Sequence, residues 1–304
     1  MPALKLRGFT LVELLVALVL LGIVSTGIYQ ALTANQRTFI AQTERIGLQQ
    51  NIRAAAQILP GEFRLLDAGE GDISAMSATQ ITMRAIRKLG FICLPPTLPG
   101  IGNLTMTVRA LPFFGGTSSF ANNDSLLIFD EGDPTTRNDD SWVAAQVKAA
   151  PSAATCPDSG VATQPAGYSV TLAPGWAVSN KNVVGAITNG SPVLGFVSLT
   201  YGLFQSASDG RWYVGDSTAG QSWLPIIGPL NGSTGLTLTY YDTLGAVTAT
   251  PANVASIGIV LRAQTAVPVR QEYQGTTAYQ VDSVTTRVAL RNNPRCGPPL
   301  GPCS

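Results

Sequence analysis

The side chains that most often do chemistry near neutral pH are scarce in this sequence. None of its 304 residues is a histidine, which removes Ser-His-Asp and Cys-His nucleophilic catalysis, imidazole metal ligands and the commonest general base. Neither a GxxxxGK[ST] phosphate loop nor a GxSxG nucleophile elbow occurs. No enzyme and no cofactor are expected. Asp130, Glu131, Asp133, Asp139 and Asp140 group five carboxylates in one short stretch, a supply of oxygen ligands for Ca²⁺. Their spacing fits no EF-hand, and Pro134 and Arg137 interrupt them, so a solvated loop is preferred and no metal site is assigned. Cys93, Cys156, Cys296 and Cys303 form an even set, which in an oxidising compartment favours disulfides. The preferred pairs are Cys296 with Cys303, closed by a stiff proline-rich tail, and Cys93 with Cys156; no CxxC spacing supports zinc. Trp142, Trp176, Trp212 and Trp223 read as core or sheet-face residues rather than as a sugar-binding platform.

One carboxylate stands out of place. Lys5 and Arg7 carry the first charges, Glu13 follows, and the chain is then uncharged from Leu14 to Gln36. As a helix, the apolar run over residues 9–29 reaches ~31 Å, the thickness of a bilayer's hydrocarbon. The basic residues on its short N-terminal side place that end in the cytoplasm and the body across the membrane. Ser25-Thr26-Gly27 is only a loose match to a signal-peptidase site. Glu13, one turn inside the run, costs roughly 2.5–3.5 kcal/mol at a membrane's centre and less near its edge. A simple anchor has no use for it. A cation in a dry setting makes it tolerable, and a free amino group at Phe9, created by cutting after Gly8, supplies one on a neighbouring copy. The constellation points to processing followed by assembly.

The string Lys5-Leu6-Arg7-Gly8-Phe9-Thr10-Leu11-Val12-Glu13-Leu14 resembles the class III signal of the type IV pilin superfamily. The resemblance implies cleavage by prepilin peptidase between Gly8 and Phe9, N-methylation of Phe9, and a role for Glu13 in docking the subunit into a growing filament. Its implied partners are prepilin peptidase, other minor and major pilins, and the inner membrane before assembly. No small-molecule substrate is implied, and nucleic-acid binding is left open. Gln30 stands where many major pilins carry a proline, so the helix melting of those filaments does not carry over.

The elements that must hold this constellation follow from the rest of the chain. Hydrophobic residues make up 45% and charged residues 12%, with 31 Gly and 20 Pro, which favours a β-rich body over a helical bundle. A net charge of +1 creates no global field to gather nucleic acid. Leu32, Phe39, Ile46, Ile52 and Leu59 predict an amphipathic helix continuing the span, and Pro60-Gly61 predicts its end near Leu59 or a kink there with the helix resuming from Glu62 to Leu66. Arg37, Arg45, Arg53 and Arg64, interrupted by Glu44 and Glu62, read as a solvated face rather than a DNA track. Short β-branched runs at 81–83, 104–108, 125–129, 168–172, 193–203, 211–214, 236–241, 256–263 and 284–291 read as strands, with a hairpin through Asp209-Gly210. The span 130–167 reads as a long surface loop or insertion. The expected fold is α+β: a long N-terminal helix, transmembrane then amphipathic, packed on an antiparallel body of one or two sheets. The expected boundaries are a leader at 1–8, a transmembrane half-helix at 9–29, a stem at 30–66 and an extracytoplasmic body at 67–304.

Residues 48–55 and 63–69 resemble the stem end of PilW-like minor pilins, and the stretches 236–242, 257–262 and 286–292 appear in the order seen in that group. The resemblance implies a minor pilin that primes or caps pilus assembly in a tip complex, residing first in the inner membrane as a single-pass protein and then in the filament. GspJ-like pseudopilins of type II secretion share the design but are usually shorter. They are the second choice. From another class, a membrane-tethered adhesin or binding protein that never polymerises would have no need of Glu13. Residues 89–193 carry no recognisable motif.

Overall fold

The computed structural model describes residues 10–96, 104–133, 135, 140–158, 163–173, 187–218, 221–270 and 276–291. One helix, α1, runs over Leu11–Phe63. Leu and Val dominate its first four turns, and Thr10 caps its start. The helix does not end near Leu59: Pro60 lies inside it, and the last turn runs on to Phe63. Leu59, Pro60 and Phe63 are all buried, Phe63 completely. The apolar contacts made by that turn offset the one backbone bond a proline forfeits. The sequence-based stripe holds at its far end, where Leu59 is buried and Ile52 packs against the core, but not nearer the membrane. Leu32, Phe39 and Ile46 stand exposed, and the buried positions are Leu48, Ala55, Leu59 and Phe63.

Fifteen strands follow among the described residues: β1 (Ile73–Met76), β2 (Gln80–Leu94), β3 (Thr105–Arg109), β4 (Ser125–Asp130), β5 (Ser141–Gln146), β6 (Ser152–Thr155), β7 (Ala166–Thr171), β8 (Pro192–Gln205), β9 (Trp212–Thr218), β10 (Leu224–Leu230), β11 (Leu236–Tyr241), β12 (Ser256–Gln264), β13 (Val269–Arg270), β14 (Thr277–Ala278) and β15 (Val281–Ala289). Thirteen of them join in one sheet ordered β11-β12-β10-β9-β8-β2-β3-β7-β6, with β1 on β2, β15 on β12, and the β4–β5 pair on β8. β13 and β14 form a separate two-stranded sheet. The pairings are antiparallel, so the molecule is α+β. The span 130–167 is not loop throughout, because β5 and β6 lie within it and pair with β4 and β7. Alternate small residues in Ser-Trp-Val-Ala-Ala-Gln and Ser-Ala-Ala-Thr hide these strands from a search for β-branched runs. Asp209-Gly210 does turn the β8–β9 hairpin, with Gly210 at φ +68, a conformation that favours glycine.

β2 and β8 are the longest strands and pair from Gln80↔Gly202 to Phe91↔Pro192. Their two ends serve two cores. The stem-side core gathers Leu59 and Phe63 of α1 with Ile81, Met83, Tyr201, Val214, Ile227, Ile257 and Leu261. The second gathers Ile92, Met106, Val108, Leu126, Ile128, Val170 and Val193. The body therefore has a proximal lobe clasped by the stem and a distal lobe inserted between β2 and β8. The distal lobe holds the Cys93–Cys156 disulfide. Beside it, Gly167 leaves no room for a side chain: an added Cβ would lie 2.9 Å from Val108 O and 3.0 Å from Cys156 Sγ. Arg109 donates two bonds to the carboxylate of Asp158, at 2.9 and 2.7 Å. Those bonds hold the Asp158 carboxyl below the usual range.

Candidate assembly site

The first part of α1, over residues 11–29, projects from the body, and its side chains are exposed among the described residues. Leu11 is 82% exposed, and Val12, Leu14, Leu15, Val16, Leu18 and their successors through Tyr29 are exposed as well. Such an apolar surface is unstable in water and requires a membrane or other helices around it. It is the one helix among the described residues long and apolar enough to cross a membrane.

Glu13 lies at the head of this helix. Its Oε2 accepts from the Thr10 backbone N–H at 3.2 Å and from the Thr10 hydroxyl at 3.3 Å, while Thr10 Oγ1 accepts from the Glu13 N–H at 3.3 Å. This reciprocal pair is a capping box, which satisfies amide donors left over at a helix start and sets a negative charge at the positive end of the helix dipole. Glu13 thus has a local task that its isolation in the apolar run does not reveal. The remaining oxygen, Oε1, has no partner in the chain among the described residues. Gly8 and Phe9, the proposed cleavage pair, lie outside the described residues, as do Cys296, Cys303, Asp139 and Trp176.

The other half of the helix is fastened to the proximal lobe at four levels. Glu44 accepts from the backbone amides of Ala266 at 2.6 Å and Val267 at 3.2 Å. Arg45 Nε donates to Gln280 at 3.0 Å, and Asn51 Nδ2 donates to the Gly228 carbonyl at 2.8 Å. Near the end, both terminal nitrogens of Arg87 donate to Glu62 Oε2 at 3.0 Å. Finally, the Arg291 N–H donates to the Arg64 carbonyl at 2.9 Å. These contacts join the stem to strands far away in sequence, and the sequence offered no signal for them. They join the stem to the proximal lobe along the second half of the helix.

Two described acids of the stretch are engaged by local backbone and hydroxyl donors. Asp130 is buried and accepts from the Gly132 N–H at 3.1 Å, and Asp133 accepts from the Thr135 N–H and hydroxyl at 2.9 and 2.7 Å. The Thr135 bonds hold the Asp133 carboxyl below its ordinary range. No group of three or more metal-ligating side chains comes together among the described residues. Of the tryptophans, Trp212 packs on the stem-side core, Trp142 lies edge-on to Phe129, and Trp223 stacks on Phe204.

Residues 5–29 match the family model of the prokaryotic N-terminal methylation motif. The matched stretch covers the two basic residues, Gly8, Phe9, Glu13 and the apolar run. No curated protein and no solved structure matches the chain.

Proposed function

We propose that this chain is a filament subunit of the type IV pilin kind, structural rather than enzymatic. It is inserted in the inner membrane through residues 9–29, with its body outside the cytoplasm. Prepilin peptidase cuts between Gly8 and Phe9, Phe9 becomes N-methylphenylalanine, and the chain then joins other pilins. The observation that carries this reading is the coincidence of two things on one segment: the methylation motif at residues 5–29 and an apolar half-helix whose side chains stand exposed from Leu11 to Tyr29 among the described residues. The free half-helix needs other helices once it leaves the bilayer, and a fibre core supplies them.

Within that kind, a minor pilin of the PilW-like group is the finer assignment, acting in a tip complex that primes or caps the fibre. It rests on the stem-end and C-terminal stretches and on a bulky two-lobed body. Mass spectrometry of fibre-associated protein tests the processing step. A chain beginning at methylated Phe9 is the expected result, and an intact Met1, or a cut beyond Thr26, would refute it.

A further inference from the structure

Close to the membrane end of the stem, the fold assembles a cluster of arginines that the sequence disperses. Two adjoining hollows share Arg37 and Arg270. One is walled by Ile40, Pro268 and Val269, and the other continues along the stem past Arg45 to Gln30. Arg270 arrives on β13 from the far end of the chain, whereas Arg37 and Arg45 lie two turns apart on one helix face. All three are exposed. The acids that break this run of basic residues in the sequence are turned away in the fold. Glu44 is held by the amides of Ala266 and Val267, and Glu62 by Arg87. Among the described residues no carboxylate lines either hollow.

Height decides which anion reaches it. Gln30, at the open end, directly follows the apolar run, and Arg37 sits eight residues beyond Tyr29, about 12 Å along the axis. Side chains on a helix tilt toward its N-terminus, and a long arginine reaches back further still, which puts the guanidinium of Arg37 in the headgroup layer. Planar guanidinium groups match phosphate oxygens in pairs, and weak hydration lets them work at such an interface. We infer that this groove seats the phosphate of an anionic phospholipid headgroup, drawn from the leaflet the helix exits, while the subunit waits in the membrane. The inference rests on membrane insertion of α1 and not on polymerisation. One bound headgroup would fix the rotation of the stem and the height of the body above the bilayer.

Full-length chain, extracted from the membranes of cells that make the fibres and held in a zwitterionic detergent, is titrated with phosphatidylglycerol and with phosphatidylcholine. Native mass spectrometry counts the bound lipid. Phosphatidylglycerol should be retained in preference, and the preference should weaken as salt rises. The double variant Arg37→Gln, Arg270→Gln should bind phosphatidylglycerol about tenfold more weakly, while Arg53→Gln, further along the stem and outside the groove, should bind as wild type. Equal retention of both lipids, or a preference that survives in the double variant, overturns the inference. So does inorganic phosphate that displaces phosphatidylglycerol at equal concentration, since the site would then take a soluble anion. The same spectra report the first residue of the chain. A lost lipid preference in a chain that begins at Phe9 therefore sinks this inference alone, and an uncut chain that keeps the preference sinks only the pilin reading.

Discussion

Glu13 caps its helix in the structure and carries a docking charge in the proposed assembly, and the two duties can be tested apart. In the capping box its carboxylate accepts from Thr10, and a glutamine amide oxygen can do the same. As a docking charge it must meet the amino group of a neighbouring Phe9, and glutamine cannot. Glu13→Gln should therefore leave the helix start intact yet reduce recovery of the protein in sheared fibres, relative to the membrane pool, nearly as far as Glu13→Ala. Glu13→Asp, one methylene shorter, should fall between. Wild-type recovery for Glu13→Gln would assign the residue to capping alone. A second residue-scale test concerns Tyr240, whose buried hydroxyl donates to the carbonyls of Ser77 at 3.0 Å and Gln80 at 3.2 Å. Burial pushes that phenol well above its ordinary range, so it stays a neutral donor throughout the pH range in which proteins are handled. Tyr240→Phe removes the side-chain donor to the Ser77 carbonyl, while Gln80 O keeps the Ser77 N–H at 2.8 Å, and should cost about 1–3 kcal/mol, read as a lower urea midpoint at an unchanged slope. Glu13 was legible in the sequence because a lone charge in an apolar run is conspicuous. Nothing along the chain advertises Tyr240, whose partners lie 163 and 160 positions away.

At the scale of elements, the strands that the sequence revealed are those rich in β-branched and aromatic residues. β11 falls on 236–241 as expected, and β12 extends the expected 256–263 by one residue. β10 escaped notice because Pro225 and Pro229 interrupt its pattern, and register shifts on the β9 side accommodate them. The stripe predicted by period packs on the body at Ile52 and Leu59 and stays exposed at Leu32, Phe39 and Ile46, because period identifies an apolar face but not how much of its length is covered. The clasp at Glu44 is an element-scale feature with a measurable weight. Glu44→Ala removes a charged acceptor from two amides 222 and 223 positions away and should destabilise the proximal lobe by about 1–3 kcal/mol, seen as a lower melting temperature. Glu44→Gln should lose less. In the distal lobe, the Cys93–Cys156 bridge closes a loop of sequence separation 63, worth roughly 4 kcal/mol by loop entropy. Cys93→Ser together with Cys156→Ser should make the region between β2 and β8 the first to be cut in limited proteolysis, with the stem-side core still protected. Uniform digestion would show that the bridge steadies both lobes alike.

The two-lobed plan of the whole molecule sets what a fibre could do with it. The stem and proximal lobe form one clasped unit, while the distal lobe enters and leaves through the paired positions Phe91 and Pro192 at the end of the β2–β8 ladder. Beyond that pair, the Ile92 N–H donates to Ser191 O at 3.0 Å in a two-strand neck, beside which β4 also pairs with β8 from Ser125↔Phe196 to Ile128↔Val193. A subunit this bulky is tolerated best where neighbours are few, which favours a fibre tip over its shaft, and immunogold spread evenly along fibres would count against that position. The neck offers a sharper test. Replacing residues 93–190 by Asn-Gly joins Ile92 to Ser191 through the two-residue turn that antiparallel strands prefer. The stem-side core keeps its helix, β1, β9–β12 and β15, together with the facing halves of β2 and β8. Ile92 and Val193, which belong to the distal core, would be changed to Thr to avoid an exposed apolar pair. The shortened chain should melt in one cooperative step and be recovered in sheared fibres in proportion to its membrane pool, because every contact proposed to drive assembly is retained. If it is insoluble, or melts without cooperativity, the two cores fold as one unit. If it folds yet stays out of fibres, the distal lobe itself makes contacts that assembly requires, and recruitment by the N-terminal helix alone is wrong.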